Sequence, residues 1–295
     1  MGTALAPHMT PMKRISLFLT LLVVSACGMI TNPTTPTDPG ASSAIIYSAV
    51  GASDANGVGG SVPCLPYVTC PDGTGYVQVV ARRYTTAGKA VTLQNLGVPG
   101  AVLSKTFQDL GSQLNYMIPI NFVTDEMPFV KTDATLVTVF AGANDANALG
   151  SAVKAGLGGS DPVAWVNAKI DTFGRDMLTL VAGIKARAPK ARIVILNLPN
   201  LAALPYSDGR TLTEKQALQT IAVGLNAKIN GMTAQGATII DMMCDSRMYN
   251  RAIFSSDGFH PNDTGYQLFA DLVYAAASST TPAAPKSSCT FMNQF

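Results

Sequence analysis

Histidine is nearly missing from this sequence. Its 295 residues include two, His8 and His260. His8 falls in what reads as a leader, so any imidazole chemistry of the mature chain belongs to His260. Two histidines exclude multi-histidine metal sites and mixed Cys/His clusters; no metal and no organic cofactor is expected. Charge is scarce as well. Asp, Glu, Lys and Arg make up 13% of the chain, against a usual ~25%. Setting aside Lys13 and Arg14 of the leader leaves 20 − 2 = 18 basic residues against 18 acidic ones. A formally neutral chain offers no basic stripe to nucleic acid and no polyanionic face to cations. The longest leader run, Ile15 to Ala26, has 12 residues, whereas a bilayer span needs about 20. The one tryptophan, Trp165, reads as packing on a long helix.

What is present points first to export. Lys13-Arg14 followed by the apolar run forms a secretory signal, so residues 1–26 read as leader. The run ends in Val24-Ser25-Ala26-Cys27, which resembles a bacterial lipobox, with Cys27 as lipidation site. Residues 27–43 then form a Pro/Thr-rich tether unable to pack a core. One domain is expected over 44–277, followed by a C-terminal tail, 278–295. With Cys27 lipidated, Cys64, Cys70, Cys244 and Cys289 remain, an even set with three possible pairings. Cys64 and Cys70 flank one short loop, which favours Cys64–Cys70 and Cys244–Cys289. The expected location is outside the cytoplasm, either as a lipid-anchored protein facing periplasm or cell surface, or secreted. Any membrane contact is expected only through that anchor.

Within the domain, short apolar runs alternate with helical patterns. Strands are predicted at Ala44–Val50, Ala90–Asn95, Ala134–Phe140, Ala191–Asn197 and Ala237–Asp241, each covered on both faces. A helix is predicted from Pro162 to Ala188, capped by Asp161, with Val163, Val166, Ile170, Phe173, Met177, Val181 and Ile184 at three- and four-residue spacing. Another starts at the Thr211/Glu214 capping box, and a last one covers Thr264–Ala277. This alternation predicts an α/β fold: a three-layer α/β/α sandwich around a five-stranded parallel sheet.

In such folds, chemistry gathers where strands end. The first strand is followed by Gly51-Ala52-Ser53-Asp54, the second by Gly97-Val98-Pro99-Gly100, the third by Gly142-Ala143-Asn144-Asp145. After the fifth comes Asp257-Gly258-Phe259-His260-Pro261-Asn262. A serine hydroxyl needs a neutral imidazole to take its proton, and the imidazole needs a carboxylate on its other nitrogen. Ser53, His260 and Asp257 supply that triad. The Ser53 and Gly100 N–H groups and the Asn144 amide supply donors for an oxyanion. Asp145 and Asn147 read as supports of the Asn144 loop.

The four blocks resemble the SGNH (GDSL-like) family of serine esterases and lipases, matched by Ser53, Gly100, Asn144 and His260 over 44–277. The resemblance implies a flavodoxin-like fold, Ser53 as nucleophile, His260 as base, Asp257 as its orienter, and Gly100 and Asn144 as oxyanion donors, with Gly97 as a substitute for Gly100. The first block departs from the usual Gly-Asp-Ser-Leu, reading Gly51-Ala52-Ser53-Asp54. The stretch from Gly57 to Tyr76 looks like an insertion at the mouth of the site. The expected activity is cofactor-free hydrolysis of small carboxylic esters with short to medium acyl chains. A carbohydrate O-deacetylase, a lysophospholipase or a non-catalytic glycan- or lipid-binding lipoprotein are the alternatives.

Overall fold

A computed structural model describes residues 1–3 and 38–295. The signal peptide, the Cys27 lipidation site and most of the tether fall outside the described residues. Five parallel strands form one sheet in the order β2-β1-β3-β4-β5: β1 Ala44–Val50, β2 Ala90–Asn95, β3 Leu136–Phe140, β4 Arg192–Leu196 and β5 Thr238–Ile240. β1 and β2 have the predicted ends, while the other three are shorter than predicted. The central strand β3, Leu-Val-Thr-Val-Phe, is buried throughout. Its one polar side chain, Thr138, meets the Tyr47 hydroxyl at 2.8 Å, so the buried hydroxyls satisfy one another. β2 departs from expectation. It lies at the sheet edge and alternates exposed with half-buried residues instead of being covered on both faces.

Six helices cover the sheet: α1 Tyr76–Thr86, α2 Lys105–Gln113, α3 Ala143–Lys154, α4 Pro162–Arg187, α5 Leu212–Asn230 and α6 Asp263–Ser278. α1 packs against α6, whereas α3 and α4 pack against α5, giving the three layers of the sandwich. The caps follow the chemistry read from the sequence. Asp161 accepts from Ala164 N–H at 2.9 Å, and the Thr211/Glu214 capping box is complete. Of the apolar positions named on α4, Val166 to Ile184 are buried, but Val163 in the first turn is 69% exposed. Among the described residues no helix is long and apolar enough to cross a membrane.

Two disulfides close, Cys64–Cys70 and Cys244–Cys289. The second fastens the C-terminal segment. There the Phe291 ring stacks on Tyr249 with centroids 3.9 Å apart, Asn200 Nδ2 donates to Phe291 O at 2.8 Å, and Gln219 Nε2 donates to Phe295 O at 3.1 Å.

Candidate active site

β1 delivers Ser53. The strand ends at Val50, and Ser53–Asn56 coil into a single 3₁₀ turn closed by Gly57 in the left-handed region, φ 73°. A side chain at Gly57 would strike Gly75 N at 2.5 Å, so the turn requires glycine. Ser53 itself is 5% exposed. Below it, Gly51 N–H donates to Glu126 Oε2 at 2.9 Å.

The loop before α6 delivers the histidine and its carboxylate. Asp257 Oδ1 accepts from the N–H groups of Phe259 (2.8 Å) and His260 (2.9 Å) and from Ser255 Oγ (2.9 Å), folding the loop around the carboxylate. Gly258 holds φ 70°, where a Cβ would meet Tyr206 N at 2.7 Å. Asn262 caps α6 through Gly265 N–H and also donates to Ala252 O and Phe254 O, fixing the loop's exit. The loop thus aims His260 between two partners: Nδ1 lies 2.6 Å from Asp257 Oδ2, and Nε2 lies 2.9 Å from Ser53 Oγ. With Nδ1–H donating to the carboxylate, neutral Nε2 accepts the Ser53 hydroxyl hydrogen. Burial alone would push the Asp257 carboxyl up, but hydrogen bonds from the His260 ring, the His260 and Phe259 N–H groups and Ser255 bring it down to about 2.

The remaining predicted residues lie on the facing loops. Gly100 has φ 84°, and a Cβ there would lie 3.4 Å from the Pro119 ring. Among the described residues its N–H has no acceptor, nor has that of Ser53. The Gly97 N–H, by contrast, is engaged by Asn95 Oδ1 at 3.1 Å, and a Cβ there would lie 2.6 Å from Ala55 Cβ. Gly97 is therefore held as a packing glycine, and Gly100 is the glycine with a free donor. Asn144, in the first turn of α3, donates through Nδ2 to Ala101 O at 2.9 Å. A cavity of about 10 Å³ is lined by Ala52, Asp54, Ala101, Gly142, Ala143 and Asn144, among others, so the loops after β1, β2 and β3 converge beside Ser53. Asn147 Oδ1 accepts from Tyr206 OH, and Asp145 Oδ1 from Leu103 N–H, which makes both supports.

Three buried carboxyls lie near the site, and two of them, Asp54 and Glu126, had no role in the sequence reading. Asp54, directly after Ser53, lines that cavity and a second, apolar one of about 30 Å³ bordered by Phe140, Leu201, Phe254, Phe259 and Phe269. Burial raises its carboxyl above the ordinary range, partly offset by His260 and Tyr266. Glu126 is 0% exposed and raised well above its ordinary value by burial, despite Gly51 N–H. Asp145 is likewise 0% exposed and raised to about 7. The Gly-Ala-Ser-Asp departure was the only sequence signal for Asp54. Glu126 gave none, because its partner is 75 residues away.

Comparison with known proteins agrees with this fold. Among solved structures, the chain resembles an extracellular lipase from Streptomyces rimosus (18% identity, 79% of this chain and 100% of that one, TM-score 0.53). It also resembles a phospholipase A1 from Streptomyces albidoflavus (19%, 79% and 99%, 0.50). A mutant acetyl-xylooligosaccharide esterase from Geobacillus stearothermophilus is similar too (14%, 84% and 99%, 0.50). No curated protein matches the sequence. At these identities the likeness shows the fold, an α/β sandwich with a parallel sheet. The family itself is shown by the sequence: the model of the GDSL-like lipase/acylhydrolase family matches residues 49–268, from the strand that carries Ser53 into the helix that follows His260, and the chain belongs to that family.

Proposed function

We propose that this protein is a serine carboxylic-ester hydrolase working through Ser53, His260 and Asp257. The observation that carries the reading is the unbroken hydrogen-bonded line Asp257 Oδ2–His260 Nδ1 and His260 Nε2–Ser53 Oγ, at 2.6 and 2.9 Å. Ser53 Oγ attacks the ester carbonyl carbon as its proton passes to His260 Nε2. Asp257 stabilises the imidazolium and keeps the ring oriented. The carbonyl oxygen takes up negative charge facing the Ser53 and Gly100 N–H groups and the Asn144 amide. When the tetrahedral intermediate collapses, His260 returns the proton to the departing alcohol, leaving an acyl-Ser53 ester. Water then attacks that ester, giving its proton to His260. The acid leaves and Ser53 Oγ recovers the proton.

We extend the reading to short to medium acyl groups as substrates. The apolar cavity beside the site, at about 30 Å³, holds one or two waters rather than a long chain. Two disulfides favour an oxidising compartment, and we place the protein outside the cytoplasm, anchored through Cys27. The test is hydrolysis of p-nitrophenyl esters from C2 to C16, with Ser53→Ala as control. The expected result is a rate that falls with chain length and drops roughly 10⁴-fold or more in the variant. Activity untouched by Ser53→Ala would sink the mechanism. A folded wild type inactive on every chain would favour the non-catalytic binding lipoprotein.

A further inference from the structure

Asp145 is a fully buried carboxyl that the reaction above leaves unused. It sits in the first turn of α3 beside Asn144. Its Oδ1 accepts from Leu103 N–H at 2.9 Å, while Oδ2 has no partner among the described residues. In the opposite direction, Asn144 Nδ2 donates to Ala101 O at 2.9 Å. Loop 101–103 is thus clamped to the start of α3 twice, once by each of two adjacent side chains. The clamped residues directly follow Gly100, whose N–H is free among the described residues. A side chain at Gly100 would lie 3.4 Å from the ring of Pro119. Backbone bonds also tie this loop to the segment 120–123, with Phe122 N–H donating to Val102 O at 2.9 Å and Val123 N–H to Leu103 O at 3.2 Å, so the two side-chain bonds are what fix the loop against α3, which carries the Asn144 amide. The cost of keeping an acid there is plain: burying a carboxyl with one oxygen unpaired is unfavourable, and an apolar side chain would avoid it.

We propose that Asp145 is a positioning residue for acyl transfer, holding Leu103 N–H so that the Gly100 and Asn144 donors face one oxyanion together. This rests on the esterase reading. The ionised carboxylate is the stronger acceptor, so its hold on Leu103 tightens with deprotonation. Burial moves that deprotonation up to about 7. The N–H groups of Leu103, Asp145 itself and Gly142 favour the charged form, and Asp176 opposes it. Asp176, on α4, is the charged group facing Asp145 and accepts from Ser104 Oγ at 2.5 Å. The rest of loop 101–104 is uncharged.

The experiment measures kcat and KM on p-nitrophenyl acetate from pH 5 to 9 for the wild type, Asp145→Ala, Asp145→Asn, Asn144→Ala and the Asn144→Ala/Asp145→Ala pair. Folding is checked by melting temperature, and Ser53 is titrated with a fluorophosphonate. Asp145→Ala is expected to lower kcat about 10- to 100-fold, the scale of a misplaced catalytic group, with KM within about twofold. Its loss should shrink in the Asn144→Ala background, because the two residues act on one oxyanion. Asp145→Asn keeps an acceptor for Leu103 N–H and should recover most of kcat, with the ratio of wild-type to variant kcat rising through pH 7. Unchanged kcat in Asp145→Ala, or losses that multiply independently in the pair, overturns the positioning role while the esterase stands. If Asp145→Ala does not fold, the ratio of wild-type to Asp145→Asn kcat decides, since the His260 base is common to both: a ratio that stays constant from pH 5 to 9 overturns the proposal. A wild type that neither hydrolyses the ester nor labels at Ser53 overturns the esterase reading and this inference with it.

Discussion

Asp257 and His260 lie three residues apart on one loop, with the Asp257 side chain 47% exposed and its hydrogen bonds drawn from within the same short segment. Gly100 and Asn144 belong to different loops, joined by bonds that span about forty residues to a buried acid, Asp145. The carboxylate that orients the base is therefore held by its own loop, which Tyr206 N–H joins to the body through Gly258 O at 3.1 Å, while the donor side is a tertiary construction. Local units can lose a side chain without disturbing the body of the protein. Tertiary clamps cannot.

The sharpest way to break that contrast is at the base. His260→Ala should abolish ester hydrolysis, a loss on the order of 10⁴-fold or more, with the melting temperature within a degree or two of wild type. A large drop in melting temperature, read by calorimetry, would show that the loop is not self-contained. Next in size, Asn144→Ala should cost about 10²- to 10³-fold in kcat, as for loss of one oxyanion donor. It should also lower stability modestly, because Ala101 O loses its partner. Steady-state kinetics beside a denaturant titration would separate the two losses.

The smallest effect lies in pH, where the two sides have opposite signs. The Asp257 carboxyl is held down at about 2. Its contribution to stability is present above the ordinary carboxylate range near pH 4 and is lost as pH falls towards 2. Asp145 titrates at about 7, so the folded state binds its proton more tightly than the unfolded chain. That contribution is present below about pH 4 and is lost as pH rises to about 7, with Glu126 acting in the same direction. Melting temperature should thus decline by a few degrees from pH 4.5 to 7.5, and Asp145→Asn should flatten the decline. Asp257→Asn should change only the acid side. An Asp145→Asn profile that parallels the wild type would refute this assignment.

The same contrast explains what could be read from the sequence. β1 and β2 were legible to the residue because turn chemistry bounds their apolar runs, and α4 and α5 because their caps are local side chains. Ser53 was legible because its segment directly follows a strand end, and Asp257 and His260 because they share one short loop ahead of α6. The single π-turn at Phe122–Glu126 was not, since nothing in Phe-Val-Thr-Asp-Glu announces a partner at Gly51. The half-open edge of β2 was missed for a related reason. Strand order is a property of the sheet, and an apolar run does not say which neighbour it will lack.

The Cys244–Cys289 bond joins residues 45 apart in sequence, and that span contains Asp257, His260 and all of α6. The base is thus carried on a covalent ring. Closing a ring of that size removes on the order of 4 kcal/mol of chain entropy from the unfolded state, against about 2 kcal/mol for the six-residue Cys64–Cys70 ring. In a reducing solution the segment bearing the base regains more freedom than the segment after the nucleophile. Thermal inactivation of the reduced protein is accordingly expected to start at the histidine's end of the chain, with Ser53 still in place on the turn after β1.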